Sequence, residues 1–159
     1  MARQFGTPRE FTKGVVTLWY RAPELLYGAS YYGPAIDMWS VGCIFAEILM
    51  REPIFPGTSE IDQLSKIFAI LGPAEEENWP GVSTLPNYLP FKCEEIRPLK
   101  DILKTSNSDA LNLVSKLLAL DPNQRLSATE ALTHPYLKEE LEISSPSDLA
   151  GKFIHWFSI

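Results

Sequence analysis

The sequence predicts a mainly α-helical fold, and three stretches of residues carry that prediction. Apolar side chains occur on every side of a helical wheel over residues 35–50. Residues 59–71 place apolar side chains at i, i+3, i+4 and i+7, and residues 108–118 repeat them at helical spacing. With 159 residues, of which 45% are hydrophobic, the chain is long and apolar enough for one domain with a sizeable core.

Composition excludes several classes of protein. The 14 basic and 20 acidic residues give a net charge of −6, which argues against broad binding to nucleic acid or to anionic membranes. Cys43 and Cys93 are too few for a disulfide framework and favour a reducing, intracellular setting. Glu47 and Arg51 interrupt the longest apolar run, so no membrane-spanning segment is expected. We expect no direct nucleic-acid partner, no membrane partner and no metal site.

The first elements of the chain are a loop and a short helix. Residues 1–14 are polar and contain Gly6, Pro8 and Gly14, a composition typical of a surface loop. Residues 22–28 then suggest a short helix that ends at Gly28.

The stretch 35–50 predicts the central helix of the fold. A helix that is apolar on every side is expected to be buried on every side. Sixteen residues make a helix about 24 Å long, enough to cross a small domain. Pro34 suits its first turn, and the helix dipole favours the negative charge of Asp37 there. Cys43 is expected to pack in the core.

Two further helices flank a long segment that is rich in proline. Ser59 is predicted to cap the helix over 59–71, which Gly72-Pro73 ends. Residues 73–106 contain five prolines and are predicted to be irregular, and a loop of that length in a compact domain is usually functional. Its apolar residues are expected to pack onto the helices: Trp79, Leu85, Tyr88 and Phe91.

The last two helices follow from capping signals. Ser108 is predicted to cap the helix that ends before Asp121-Pro122. Ser127 and Glu130 form a capping box for a final short helix. Its expected core residues are Leu126, Ala131 and Leu132. His134 lies beside a proline and is interpreted as a turn residue, not as a metal ligand.

Several motifs, in order and spacing, resemble the cyclin-dependent protein kinases. The eleven residues 14–24, Gly-Val-Val-Thr-Leu-Trp-Tyr-Arg-Ala-Pro-Glu, are similar to the end of a kinase activation segment. Asp-x-Trp-Ser-x-Gly at 37–42, Asp-Pro-x-x-Arg at 121–125 and His-Pro-Tyr at 134–136 follow. Asn-Trp-Pro at 78–80 and Leu-Pro-Asn-Tyr at 85–88 resemble the kinases that activate cyclin-dependent kinases more than the cell-cycle members. The mitogen-activated branch is less favoured, because Thr12-Lys13-Gly14 lacks a second phosphoacceptor.

The resemblance covers residues 1–137 and implies the C-terminal lobe of the protein kinase fold. It implies an activation segment at 1–24 and C-lobe helices at 25–137, with the irregular insert of this kinase group at 73–106. Residues 138–159 form a divergent tail, in which apolar residues replace the polar ending of relatives: Phe153, Ile154, Trp156 and Phe157.

The resemblance also implies roles for individual residues. Thr12 matches the activating phosphosite, and Thr7, before Pro8, is a second candidate phosphosite. Glu24 is expected to pair with Arg125, and Asp37 to anchor the backbone of a catalytic loop, with Trp39 in the same structural motif. The segment from Val15 to Arg21 matches the pocket for the substrate residue that follows the phosphoacceptor; its members are Val15, Val16, Thr17, Leu18 and Arg21.

The implied activity is transfer of the γ-phosphate of ATP to Ser or Thr before Pro, with magnesium and a cyclin. Expected substrates are other cyclin-dependent kinases and the RNA polymerase II tail, with an assembly factor of a transcription complex as a further partner. The expected location is the nucleus, or else the cytoplasm.

The parts that perform phosphoryl transfer in kinases are not among these 159 residues. The sequence contains no Gly-x-Gly-x-x-Gly, no Val-Ala-Ile-Lys, no His-Arg-Asp and no Asp-Phe-Gly. The chain therefore offers no catalytic residue and no residues for ATP or magnesium, and we expect it to be inactive on its own. The alternative interpretation is a non-catalytic docking or regulatory fragment, or a truncated kinase.

Overall fold

A computed structural model describes residues 18–93, 95–103 and 105–138. This part of the chain is mainly helical, as predicted, and it contains no β-strand. Its helices are α1 (Pro23–Leu26), α2 (Ala35–Met50), α3 (Glu60–Leu71), α4 (Leu99–Leu103), α5 (Ser108–Leu117) and α6 (Ala128–Leu132), with 3₁₀ turns at Leu18–Tyr20 and Val82–Thr84. None of the helices in these residues is long and apolar enough to cross a bilayer.

Helix α2 is the centre of the packing, and its bounds agree with the prediction. It follows Pro34 and ends at Arg51, whose left-handed φ of 62° stops the helix. It packs against α4, α5 and the Leu18–Tyr20 turn. Gly42 allows the close approach of α5, because a Cβ at this position would lie 2.9 Å from the Cβ of Leu117. Cys43 is fully buried, as expected, and burial raises the pKa of its thiol.

The prediction that α2 is buried on every side is wrong. Val41, Ile44 and Ile48 are 46%, 49% and 66% exposed and lie along one face of the helix. The apolar pattern reports the preference of each side chain, whereas burial needs a neighbour to cover it. The opposite face packs into the core with Trp39 and Ala46.

The caps of α3 and α5 are local hydrogen bonds. The Ser59 hydroxyl accepts the backbone N–H of Asp62 at 3.2 Å, which confirms the predicted cap of α3. The prediction for α5 is wrong by one residue: Asn107 is the cap, and its Oδ1 accepts the N–H groups of Asp109 and Ala110. Asn and Ser have similar cap preferences, so the sequence does not rank two such neighbours.

Helix α6 has the predicted capping box, but one of its expected core residues lies outside. The Ser127 hydroxyl accepts the N–H of Glu130, and the Glu130 carboxylate accepts the N–H of Ser127. Ala131 is buried, whereas Leu132 is 63% exposed. A helix of five residues can turn only a narrow face inward, and in α6 that face holds Ala131.

The proline-rich segment is anchored by its aromatic residues, as predicted. The ring of Tyr27 packs against Trp79 and Tyr88, with centroids 6.1 and 5.5 Å apart, and Phe91 lies 5.0 Å from Phe68. The segment is less irregular than expected, because it contains the Val82–Thr84 turn and α4. Both elements are too short to give a recognisable period in the sequence.

Candidate functional site

The candidate site is the segment 18–24, which hydrogen bonds fix to α2. The Tyr20 hydroxyl donates to Glu47 at 2.7 Å, and the Ser40 hydroxyl donates to the Tyr20 carbonyl at 3.0 Å. The hydrogen bond to Glu47, with a smaller contribution from burial, raises the pKa of Tyr20. Leu18 is half-buried and packs against the core. The backbone of this segment is therefore held at fixed positions along α2.

A second set of contacts fixes the same segment to α3. The Trp19 indole N–H donates to the Gly57 carbonyl at 2.9 Å. The side-chain amide of Gln63 donates to the Trp19 carbonyl at 3.2 Å and accepts the Gly57 N–H at 3.0 Å. Position 57 requires glycine, since a Cβ there would lie 2.7 Å from the Cα of Gln63.

Gln63 is the functional residue that the sequence interpretation missed. It is fully buried, and its amide satisfies two backbone groups that would otherwise lack partners. The sequence did contain a sign of this burial, because Gln63 lies four residues before Ile67 and therefore on the apolar face of α3. A polar residue on such a face is expected to have a buried partner.

Arg21 lies beside the beginning of α3. Its Nη1 donates to Glu60 Oε1 at 2.6 Å, and its side chain is only 14% exposed, whereas that of Glu60 is 57% exposed. The guanidinium therefore folds back against the lobe. Val16 lies outside the described residues, as do the other predicted site residues of the first segment: Thr7, Thr12, Val15 and Thr17.

Glu24 and Arg125 form the predicted ion pair, across 101 residues of sequence. Arg125 Nη1 lies 2.8 Å from Oε1 of Glu24, and Nη2 lies 3.0 Å from Oε2, so the pair is bidentate. The side chains are 0% and 5% exposed for Arg125 and Glu24. Glu24 stands in the first turn of α1, where the helix dipole also favours a carboxylate.

Arg125 also links three other parts of the backbone. It donates to the carbonyls of Ala35 at 2.7 Å, Ala119 at 3.1 Å and Leu120 at 3.3 Å. Its guanidinium carbon lies 5.1 Å from the centre of the Trp39 ring, within the range of a cation–π contact. One buried cation thus joins the end of the segment 18–24 to the beginning of α2 and the end of α5.

Trp39 and Asp37 lie on opposite sides of α2. Trp39 is fully buried and stacks on Phe55, and its indole N–H has no hydrogen-bond acceptor among the described residues. Asp37 is exposed, on the same face as Val41 and Ile44. The described residues bring no backbone of a catalytic loop to Asp37, so its anchoring role stays a prediction.

The site has no fit for magnesium within the described residues. No group of three or more His, Cys, Asp or Glu side chains converges there as it would around a metal ion. Asp62, at the start of α3, is already satisfied by the backbone N–H and hydroxyl of Thr58, which lower the pKa of its carboxyl group. The described side chains hold a backbone segment in place, and none of them forms a group arranged for phosphoryl transfer.

Comparison with known proteins agrees with this geometry. The protein kinase domain matches residues 1–137. Cyclin-dependent kinase 7 of Dictyostelium discoideum is 48% identical over 154 residues, which are 96% of this chain and 43% of that protein. The chain therefore spans less than half the length of the curated relative it matches. The described residues form a mainly helical lobe whose Ala-Pro-Glu segment is held by a distant buried arginine. The chain belongs to the protein kinase domain family, in its cyclin-dependent kinase group.

Proposed function

We propose that this chain is the substrate-side part of the C-terminal lobe of a cyclin-dependent Ser/Thr kinase, which transfers the γ-phosphate of ATP to Ser or Thr before Pro. The observation that carries this proposal is the buried pair of Glu24 and Arg125, which holds the end of the segment 18–24 on the helical core. The segment 18–24 is also hydrogen-bonded to α2 and α3. A segment held at both helices is suited to present a rigid surface to a peptide.

The preference for proline rests on Val16 and Arg21. If the Val16 carbonyl is occupied by Arg21, a substrate amide N–H at the next position finds no acceptor, at a cost of about 1–3 kcal/mol. Proline has no N–H and escapes that cost. The inward orientation of Arg21 supports this arrangement, since its guanidinium is held against the lobe beside Glu60.

The relative's name supports a cyclin as the partner, because that protein is called a cyclin-dependent kinase. We further propose other cyclin-dependent kinases and the RNA polymerase II tail as substrates, an assembly factor of a transcription complex as a partner, and the nucleus as the location. ATP and magnesium would be held by residues outside this chain, since the kinase motifs that bind them are not among its 159 residues.

The test is peptide phosphorylation by an assembled kinase that contains these residues. Peptides with Ser-Pro should be turned over roughly 5- to 150-fold more efficiently than the same peptides with Ser-Ala, the ratio that 1–3 kcal/mol gives. Arg21→Ala should reduce that ratio, because it frees the carbonyl of Val16 as an acceptor. Lys66→Ala, which removes an exposed cation on α3, is the matched control and should leave the ratio unchanged. Equal turnover of the two peptides would exclude the proline preference.

A second candidate function is a non-catalytic docking or regulatory chain. It is favoured by the missing transfer motifs and by the exposure of Asp37. Under either function, the purified 159-residue chain should show no binding of magnesium-ATP in a calorimetric titration and no transfer of radiolabelled phosphate to a Ser-Pro peptide. Micromolar nucleotide binding or genuine turnover would contradict the absence of catalytic parts in this chain.

A further inference from the structure

Two side chains at the beginning of α3 contact the segment 18–24, and they are three residues apart. Gln63 donates to the Trp19 carbonyl at 3.2 Å, and Glu60 accepts from Arg21 at 2.6 Å. Residues at i and i+3 lie on the same side of a helix, so one side of α3 holds the segment at two positions. Gln63 binds the backbone of the segment, whereas Glu60 binds a side chain. Glu60 therefore acts on the direction in which the Arg21 side chain points.

The backbone positions of both partners in this ion pair are fixed by other contacts. The N–H of Arg21 donates to the Leu18 carbonyl at 3.2 Å, directly after the Leu18–Tyr20 turn. Glu60 is the first residue of α3 and follows the Ser59 cap. The guanidinium, by contrast, stands at the end of a long side chain that has many rotamers. The contact with Glu60 selects one direction among them.

The ion pair combines a cation that is largely buried with an exposed anion. The side chain of Arg21 is 14% exposed, and that of Glu60 is 57% exposed. An exposed carboxylate contributes little to stability, so its removal should leave the fold intact. A guanidinium has five N–H donors in a planar fork. One contact with Glu60 can thus set the direction of the guanidinium while another of its N–H groups binds a backbone oxygen.

We propose that Glu60 is a positioning residue for the selection of proline, and that it acts only through Arg21. The inference rests on the proposed function, in which the guanidinium of Arg21 occupies the carbonyl of Val16. While Glu60 holds the guanidinium against the lobe, a substrate N–H after the phosphoacceptor finds no acceptor. Without Glu60 the guanidinium can turn towards solvent, and the carbonyl of Val16 can accept that N–H. Peptides without proline then gain turnover, whereas proline, which has no N–H, gains nothing from the change.

The test is the ratio of Ser-Pro to Ser-Ala peptide turnover by an assembled kinase that contains these residues. Glu60→Ala should lower this ratio about threefold or more, towards that of Arg21→Ala, by raising the turnover of the Ser-Ala peptide. Glu60→Gln keeps an acceptor oxygen at the same reach, so it should retain more of the ratio than Glu60→Ala. Glu77→Ala is the matched control, because Glu77 is an exposed carboxylate beyond the other end of α3, and it should leave the ratio unchanged.

A double variant separates positioning from direct contact with the peptide. In an Arg21→Ala background, adding Glu60→Ala should leave the ratio unchanged, since Glu60 has no guanidinium left to hold. A residue that only stabilised the lobe, or that touched the peptide itself, would act in both backgrounds. A further fall of the ratio in the Arg21→Ala background would therefore overturn the proposal.

Two other outcomes would also overturn it, and they differ in what they leave standing. The first is a wild-type kinase that selects proline together with a Glu60→Ala variant of equal ratio. This result would refute the role of Glu60 and leave the proposed function intact. The second is a wild-type kinase that turns over both peptides equally, which contradicts the proposed function and the role of Glu60 with it.

Discussion

Arg125→Ala is the most direct test of how the end of the segment 18–24 is held. The substitution leaves the Glu24 carboxylate, in a side chain that is 5% exposed, without its bidentate partner. It also removes the donor to the carbonyls of Ala35, Ala119 and Leu120. Stranding one charge of a buried pair costs about 3–5 kcal/mol in free energy of unfolding.

That loss is large relative to the stability of a domain. Total stabilities are about 5–15 kcal/mol, so about a fifth of the stability or more would disappear. For a chain of this size 1 kcal/mol shifts the melting temperature by about 2–4 °C, which predicts a decrease of roughly 6–20 °C. Glu24→Gln combined with Arg125→Met should be less destabilising than Arg125→Ala, because no buried charge is stranded.

The assay is thermal unfolding followed by circular dichroism at neutral pH. Lys66→Ala is the control, since its pair with Asp62 is 3.9 Å long and exposed on both sides, and such pairs contribute at most about 1 kcal/mol. A melting temperature of Arg125→Ala within the range of this control would refute the argument that the buried pair holds the segment.

Three further predictions address the core, the proline-rich segment and Thr12. Gly42→Ala should destabilise the lobe by about 1–3 kcal/mol in a urea titration, because its Cβ would lie 2.9 Å from Leu117, whereas Gly33→Ala, with open space around it, should be near neutral. Glu76 accepts hydrogen bonds from Ser83 and from the N–H of Gly81, which lower the pKa of its carboxyl group below the ordinary 4.5. The stabilisation by the ionised Glu76 carboxylate is therefore present above pH 4.5 and is lost as pH falls through the folded pKa. The rate of amide exchange at Gly81 should differ between wild type and Glu76→Gln at pH 7, and the two rates should converge in acid. A difference that persists in acid would contradict this pH dependence. Thr12→Ala in an assembled kinase should lower peptide phosphorylation or cyclin binding, because a phosphate there would add roughly −1.5 to −2 charges, and unchanged activity and assembly would exclude the site.

Long periodic patterns predicted the larger helices, because such patterns depend on many residues. The bounds of α2 were predicted to the residue, since Pro34 and the Arg51-Glu52-Pro53 turn enclose a continuous apolar run. Helix α4 escaped prediction because five residues carry too little periodicity. The cap of α5 was assigned to the wrong neighbour because Asn107 and Ser108 have nearly equal preferences.

Of the candidate site, the pair of Glu24 and Arg125 could be predicted only through the resemblance, since 101 residues separate its members and no local pattern joins them. The buried amide of Gln63 was missed because its partners are backbone groups of Trp19 and Gly57, which any sequence would carry. The identity of a side chain can indicate its hydrogen-bond partner when that partner is a side chain of opposite charge, as Glu24 is for Arg125. Backbone partners become visible only once the fold brings the segments together.

The contacts of Arg125 and Gln63 together explain why the segment 18–24 is held as one unit. Arg125 fixes the end of the segment through Glu24, and Gln63 fixes its beginning through the carbonyl of Trp19. Arg21 lies between these two points, three residues before Glu24, and is held by Glu60. A displacement at either end would therefore move the guanidinium that the proline preference requires. The side chains of Arg125, Gln63 and Glu60 all anchor this one short segment. Substitutions at Arg125 and Gln63 are therefore expected to change stability and substrate choice together, even though neither residue faces the peptide in the proposed arrangement.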